Sequence, residues 1–170
     1  MKLTNLSQKT PTWLASSIQR SPWGSDKELV KLREGLVLKW YKDTLGKVTG
    51  GYGHLQKPTE VNLEVTQALA DKWLDSDLTA ARKAAKSQFS QLPIQTQELY
   101  DVLVSVNFQL GPKWNLEHKK TWAHMVAGQY FEAAEEAEHS AWFRQTPVRV
   151  KDLQKALRKA HELYTYYPKD

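Results

Sequence analysis

The chain has 170 residues, of which 41% are hydrophobic, with seven tryptophans and no cysteine. This length and composition suit one compact unit with a substantial core, and the lack of cysteine excludes disulfides, thiolate nucleophiles and cysteine-ligated metal sites. The formal net charge of +5 is uneven, because residues 1–33 and 149–170 are basic while the middle is slightly acidic. We expect such a surface to attract an anionic partner or simply to aid solubility.

The first part of the chain, residues 1–24, reads as an N-terminal leader. Its apolar content falls short of the roughly 7–15 residues that a secretion-signal core needs. No segment of the chain approaches the roughly 20 apolar residues of a membrane span. Threonine and proline at 10–11 can open a short helix that reaches Ile18. A single domain is predicted over residues 25–170.

A capping box at Ser25–Glu28 predicts the start of the next helix. Gly35 predicts its end, because glycine adopts the left-handed conformation that often follows a helix. Glu34 would then lie on the last turn. The negative end of the helix dipole and burial in an apolar cleft would both raise the pKa of this carboxyl group. We therefore expect Glu34 to hold a proton near neutral pH and to serve as a general acid.

A hairpin is predicted directly after this helix. Alternating apolar residues over 36–40 indicate a strand, Asp43–Gly46 a turn, and Val48 the start of a return strand. Asp43 would stay ionised on the solvated lip of the turn and orient a water molecule with the Thr49 hydroxyl. One protonated and one ionised carboxyl group across a cleft is the arrangement that glycoside hydrolysis needs.

The rest of the chain is predicted to be helical. An uninterrupted apolar stripe over about 65–89 indicates one long helix, and further helices are predicted over 95–110, 122–126, 131–138 and 148–164. The fold class is therefore α+β and predominantly helical. We expect two lobes: a small hairpin lobe over about 25–64 and a helical lobe over about 90–170, with the long helix between them.

Other classes of site are disfavoured. The five histidines lack the spacing of metal ligands, so no metal is predicted, and no cofactor motif is present. The basic ends carry no interleaved aromatic motif, so we predict no nucleic-acid partner. Residues 150–164 form a basic amphipathic segment that suits core packing or, alternatively, action on an outer membrane; stable membrane insertion is not expected.

The hairpin region resembles that of the phage-type lysozymes, the muramidases that tailed bacteriophages use as endolysins. Two distant segments extend the resemblance: residues 106–111 look like the buried central helix of that family, and residues 141–147 with Arg149 look like its carboxy-terminal signature. Together these segments cover roughly residues 26–165. The hairpin positions in matching order and spacing are Glu34-Gly35, Tyr41, Asp43, Gly46, Thr49, Gly51 and Gly53-His54.

This resemblance implies a lysozyme-like two-lobed fold and an activity. The enzyme would hydrolyse the β-1,4 bond between N-acetylmuramic acid and N-acetylglucosamine in peptidoglycan. Glu34 would protonate the glycosidic oxygen, while Asp43 and Thr49 would hold the attacking water on the opposite face of the sugar. That arrangement implies inversion and a carboxyl separation of about 6.5–9.5 Å.

The resemblance also implies supporting roles. Arg149 would pair with Glu34, and Asp77 on the long helix would hold His54, which falls at the edge of the cleft. Gly50 departs from the family pattern, in which a β-branched residue is usual, so we expect the second strand to be short or flexible. Further positions that would line the glycan and stem-peptide cleft are Tyr41, Gln109 and Trp142, the last of which also suits core packing.

The implied biology is that of a monomer that accumulates in the host cytoplasm and reaches the periplasm and cell wall when a holin opens the membrane. Two alternatives stay open. A lytic transglycosylase would form an anhydro product through an internal hydroxyl and could dispense with Asp43. A virion component that binds peptidoglycan without cutting it would not need Glu34, Asp43 and Thr49 together.

Overall fold

The computed structural model of the chain describes residues 21–166. Most of the predicted leader, including the helix expected over 10–18, lies outside the described residues. Among the described residues, none of the helices is long and apolar enough to cross a membrane.

The described chain is predominantly helical with one small sheet, which confirms the predicted fold class. The four helices predicted to follow the long helix are all present. The two shortest helices were not predicted, because four or five residues are too few to show an apolar stripe. The helices are α1 Asp26–Glu34, α2 Gln67–Phe89, α3 Gln97–Leu110, α4 Trp114–Glu117, α5 Lys119–Val126, α6 Tyr130–Glu138, α7 Ala141–Gln145 and α8 Pro147–Tyr166. The strands are β1 Val37–Lys42, β2 Val48–Gly51 and β3 His54–Leu55, and a 3-10 turn spans Pro58–Glu60.

Helix α1 begins and ends where the sequence indicates. The Ser25 hydroxyl accepts a hydrogen bond from the Glu28 N–H at 3.1 Å, which satisfies an amide that has no partner within the helix. Gly35 follows with φ +69°, and its N–H donates to the Lys31 carbonyl. These two caps fix Glu34 as the last residue of α1.

The sheet is antiparallel in the order β1-β2-β3 and packs on the first half of α2. The Trp40 ring lies 5.2 Å from the Trp73 ring of α2, measured between centroids. A side chain at Gly50 would place its Cβ 2.9 Å from the Trp40 ring and 3.0 Å from Val65. Because Trp40 already fills this space, the departure from the family pattern at Gly50 has a packing reason.

Helix α3 is the centre of the helical core. It packs against α1, α2 and α8, and its middle turns are buried on every side. Arg33 of α1 forms a two-pronged ion pair with Asp152 of α8 at 2.7 and 2.8 Å. Helix α1 therefore contacts both α3 and α8, although it belongs to the stretch of about 25–64 that we predict as the hairpin lobe. At Gly35 the chain leaves α1 and continues into the sheet.

The first turns of α3 bury two carboxyl groups. Asp101 is 1% exposed, and among the described residues its Oδ2 atom has no hydrogen-bond partner. Burial raises the pKa of Asp101 and the charges of Asp26 and Glu98 raise it further, while the polar side chains of Ser21 and Gln97 offset part of this rise. The folded protein therefore binds the Asp101 proton more tightly than the unfolded chain does.

We predict that Asp101→Asn stabilises the protein at pH 7. Because the folded-state pKa lies above the ordinary value of 3.8, the ionised carboxylate lowers the free energy of unfolding as pH rises above that value. The thermal midpoint should rise by about 2–4 °C for each kcal/mol gained, and the gain should shrink as pH falls toward about 4. Thermal unfolding followed by circular dichroism at both pH values measures this difference. Glu138→Gln, at an exposed position of α6, serves as the control, and an unchanged midpoint for Asp101→Asn at pH 7 would contradict the prediction.

Candidate active site

Three helices converge on the Glu34 carboxyl group. Arg149, near the start of α8, donates from Nη1 to Glu34 Oε1 at 2.9 Å. The Nη2 atom of Arg149 donates to the carbonyl and the hydroxyl of Ser105 on α3, at 3.0 and 2.9 Å. The Glu34 side chain is 20% exposed, so this charged pair lies at a partly buried edge. The pairing that the resemblance implies is present, and Ser105 adds an anchor that the sequence did not suggest.

The sheet reaches the same carboxyl group at Gly53, in the turn between β2 and β3. Gly53 has φ +70°, a conformation that side chains disfavour. A Cβ atom at this position would lie 2.9 Å from Glu34 Oε2. Glycine is therefore required here for two reasons, and the close approach confines Glu34 between Arg149 and the Gly53 backbone.

Asp43 closes the turn between β1 and β2 with one carboxylate oxygen. Its Oδ1 atom accepts from the Leu45 and Lys47 N–H groups at 2.9 and 2.8 Å. Within the described residues, Oδ2 makes no hydrogen bond to the protein. The turn therefore fixes the orientation of the carboxylate and leaves one oxygen available.

Thr49 is joined to Asp43 through a shared acceptor. The Lys47 carbonyl accepts from the Thr49 hydroxyl at 3.1 Å and from the Asp43 N–H at 2.9 Å. Thr49 pairs with Tyr41 across the β1–β2 ladder, so Tyr41 lies beside it on the half-buried face of the hairpin. Because the hydroxyl proton is used by the backbone, the Thr49 oxygen remains able to accept a hydrogen bond.

A groove of about 440 Å³ begins at Gly53, and its lining does not include Glu34, Asp43 or Thr49. Gly53 belongs both to the lining of this groove and to the contact with Glu34, so the carboxyl group and the groove are adjacent. Phe108 supplies a half-buried aromatic ring on the α3 side. The full lining consists of residues 53–58, of Asp77, Ala80 and Ala81 from α2, and of Asn107, Phe108 and Pro112.

His54 is held on both sides by carboxylates. Its Nδ1 atom lies 2.7 Å from Asp77 Oδ2, which is the contact that the resemblance implies. Its Nε2 atom lies 2.9 Å from Glu60 Oε1, and its ring stacks on Trp73 with the centroids 4.5 Å apart. The side chain is 4% exposed, so it offers little surface to a sugar. Nothing in the sequence singled out Glu60.

Trp142 is buried, which agrees with core packing, the second of the two places that its sequence position suits. The residue is 4% exposed and packs against Trp114 and His118. Its indole N–H donates to Gln109 Oε1 at 3.0 Å, and the Gln109 amide donates to Thr146 at 3.0 Å. Trp142 therefore holds Gln109 in place, while Gln109 itself is only half-buried.

No group of three or more histidine and carboxylate side chains within residues 21–166 is arranged to hold a metal ion. The polar side chains that the structure gathers near Glu34 and in the hairpin are carboxyl groups, an arginine and hydroxyls.

Comparison with known proteins agrees with these features. Residues 31–162 match the family model described as phage lysozyme. A protein of Dictyostelium discoideum named probable T4-type lysozyme 1 is 27% identical over 151 residues, which cover 74% of this chain and 88% of that protein. A protein named endolysin, from Acyrthosiphon pisum secondary endosymbiont phage 1, is 34% identical over 83 residues, covering 49% of this chain and 55% of that protein. Because the family model spans most of the sequence, including Glu34, the hairpin and Arg149, the chain belongs to the phage lysozyme family.

Proposed function

We propose that this protein is an endolysin that hydrolyses the β-1,4 bond between N-acetylmuramic acid and N-acetylglucosamine in peptidoglycan. The observation that carries the proposal is the position of Glu34, which is held by Arg149 and lies against Gly53, a residue that lines a groove of about 440 Å³. Membership of the phage lysozyme family and similarity to a phage protein named endolysin support it.

Glu34 acts as the general acid in this proposal. A glycosidic oxygen leaves readily only when it gains a proton, and a carboxyl group at the edge of the groove can supply one. Arg149 engages only Oε1, and Gly53 lies against Oε2. The Oε2 atom is therefore the one that faces the sheet side, and we assign the transferred proton to it.

Asp43 and Thr49 act together on the water. Both the free Oδ2 of Asp43 and the Thr49 oxygen can accept hydrogen bonds, so a water that donates one proton to each has a lone pair directed away from both. Such a water is aligned for attack on the anomeric carbon, and Asp43 can take up its proton as the general base. The result is inversion of configuration.

The expected setting is the wall of a bacterial host. The substrate is peptidoglycan, and a positively charged surface favours approach to an anionic wall through attraction that salt weakens. The enzyme acts as a monomer, accumulates in the host cytoplasm, and reaches the periplasm and wall after a holin opens the membrane. No cofactor, metal or nucleic acid takes part in the reaction.

We predict that Glu34→Gln lowers the rate of peptidoglycan cleavage by about 10²–10⁴-fold or more, the usual contribution of a general acid. The amide oxygen still accepts from Arg149, so the thermal midpoint should change little. Clearing of a purified peptidoglycan suspension measures the rate. Glu28→Gln, an exposed change on the same helix, is the control, and near-normal turnover by Glu34→Gln would refute the acid assignment.

We predict that Asp43→Asn lowers hydrolysis by at least about 10²-fold, because the amide keeps the Oδ1 turn contacts but loses the basic oxygen. Mass spectrometry of the wild-type digest should show products to which water has been added. If the variant cleaves normally and both proteins release anhydromuramyl ends, the lytic transglycosylase alternative holds. If purified wild type binds peptidoglycan but releases no products, the non-catalytic alternative holds.

We predict that Gly53→Ala lowers the cleavage rate by about 10²-fold, because the added methyl group displaces the Glu34 carboxyl group. Gly24→Ala is a matched control: Gly24 also has positive φ, +84°, but a Cβ atom there meets nothing within 4 Å. Both variants carry similar backbone strain, so thermal midpoints should fall by similar amounts. Equal activities of the two variants would show that contact with Glu34 does not matter.

A further inference from the structure

The side-chain amide of Gln88 is the centre of a buried hydrogen-bond network at the end of α2. Gln88 is 5% exposed. Its Oε1 atom accepts from Asn107 Nδ2 at 2.7 Å and from the Trp114 indole N–H at 3.0 Å. Its Nε2 atom donates to Asn107 Oδ1 at 3.1 Å and to the Pro112 carbonyl at 3.2 Å. One amide therefore joins α2, α3 and the residues that lead into α4.

The orientation of this amide is fixed by its neighbours. An indole N–H can only donate and a carbonyl can only accept, so the Gln88 oxygen must face Trp114 and its nitrogen must face Pro112. Asn107 Nδ2 also donates to the Leu103 carbonyl at 2.8 Å, so the amide hydrogens of both side chains are used. Such a network resists displacement, because each bond lost inside the protein leaves a polar group without a partner.

Two of the residues that Gln88 holds belong to the groove. Asn107 and Pro112 line one side of it together with Phe108, and α2 lines a neighbouring side through residues that include Ala81. Gln88 lies about two turns beyond Ala81 on the same helix. Its hydrogen bonds therefore tie the α3 side of the groove to the helix that supplies the α2 side.

We propose that Gln88 is a positioning residue for glycan binding: its amide holds Asn107 and Pro112 and so sets the distance between the α2 and α3 sides of the groove. This proposal rests on the proposed function, in which the groove takes part of the peptidoglycan chain. Gln88 is not itself part of the groove lining. Because Glu34 and Asp43 are held by other contacts, Gln88 should affect binding rather than the chemical step.

The first test observes the network during binding. NMR follows the side-chain amide signals of Gln88 and Gln154 in the Glu34→Gln protein, which lacks the proposed acid, as soluble peptidoglycan fragments are added. Gln154 is the reference, because its buried amide joins α8 to Ala134 of α6 and is not part of the groove lining. We expect the Gln88 signals to shift and the Gln154 signals to stay in place. Binding that leaves the Gln88 signals unchanged would overturn the proposal.

The second test is kinetic. Gln88→Met keeps the length of the side chain but removes its donor and its acceptor. On soluble peptidoglycan fragments it should raise KM about tenfold, the equivalent of one buried hydrogen bond, with kcat nearly unchanged. Gln154→Met is the matched control: it also removes a buried amide, so its thermal midpoint should fall similarly, but its KM should equal that of the wild type.

Gln88→Glu repeats the comparison with a side chain of the same size, and it decides the question alone if Gln88→Met does not fold. The carboxylate can accept from Trp114 and Asn107 but cannot donate to the Pro112 carbonyl, so KM should rise at pH 7. As pH falls and the carboxyl group gains a proton, one donor returns. The ratio of the variant KM to the wild-type KM at the same pH should then fall. A ratio that does not change with pH would count against the hydrogen bonds as the cause.

The outcomes separate the two proposals. A raised KM in the Gln88 variants with an unchanged KM in Gln154→Met supports the positioning role. Wild-type KM in the Gln88 variants, an equal rise in Gln154→Met, or a fall in kcat at constant KM would overturn it and leave the proposed function intact. If wild type cleaves no peptidoglycan, the proposed hydrolysis fails, and the dissociation constants of the same fragments replace KM in the comparison. If wild type does not bind the fragments either, both proposals fail.

Discussion

The contact between Arg149 and Glu34 is the constraint on which the rest of the site depends. It joins residues 115 positions apart in the sequence, and the same guanidinium holds Ser105 of α3. The Nε atom of Arg149 is buried without a partner among the described residues. A buried guanidinium that lost Glu34 would be left with little compensation for its desolvation. The position of the Glu34 carboxyl group therefore depends on how α1, α3 and α8 pack together.

Gly35 divides the proposed chemistry between two parts of the fold. Glu34 lies on a helix packed into the helical lobe, whereas Asp43 and Thr49 belong to the sheet that follows the glycine. The acid and the water-binding pair are therefore positioned by different cores. Gly53 is the point at which the sheet meets the Glu34 carboxyl group. A change in the position of the sheet relative to α1 would therefore alter the contact between Gly53 and Glu34.

Local features were predictable from the sequence, whereas contacts over long distances were not. Caps at Ser25 and Gly35 and the turn at Asp43 depend on neighbouring residues, and each leaves a short pattern. The pairing of Arg149 with Glu34 and of Asp77 with His54 was anticipated only through resemblance to a family. Glu60 follows a proline-containing turn and has no pattern that marks a buried anion. For Trp142 both a cleft and a core position stayed open, because a tryptophan at a cleft and one in a core look alike in sequence.

The carboxyl groups of Asp43, Glu60 and Asp77 differ in what their hydrogen bonds leave available. Both Glu60 oxygens lie within 3.2 Å of His54 Nε2, and Asp77 Oδ2 lies 2.7 Å from Nδ1, so these two groups are committed to one imidazole ring. Asp43 satisfies two backbone amides with a single oxygen and keeps the second. The presence of a carboxyl group alone would not distinguish these three residues from one another. The proposed role of Asp43 as the partner of a water molecule, rather than Asp77 or Glu60, rests on its second oxygen, which can still accept a hydrogen bond.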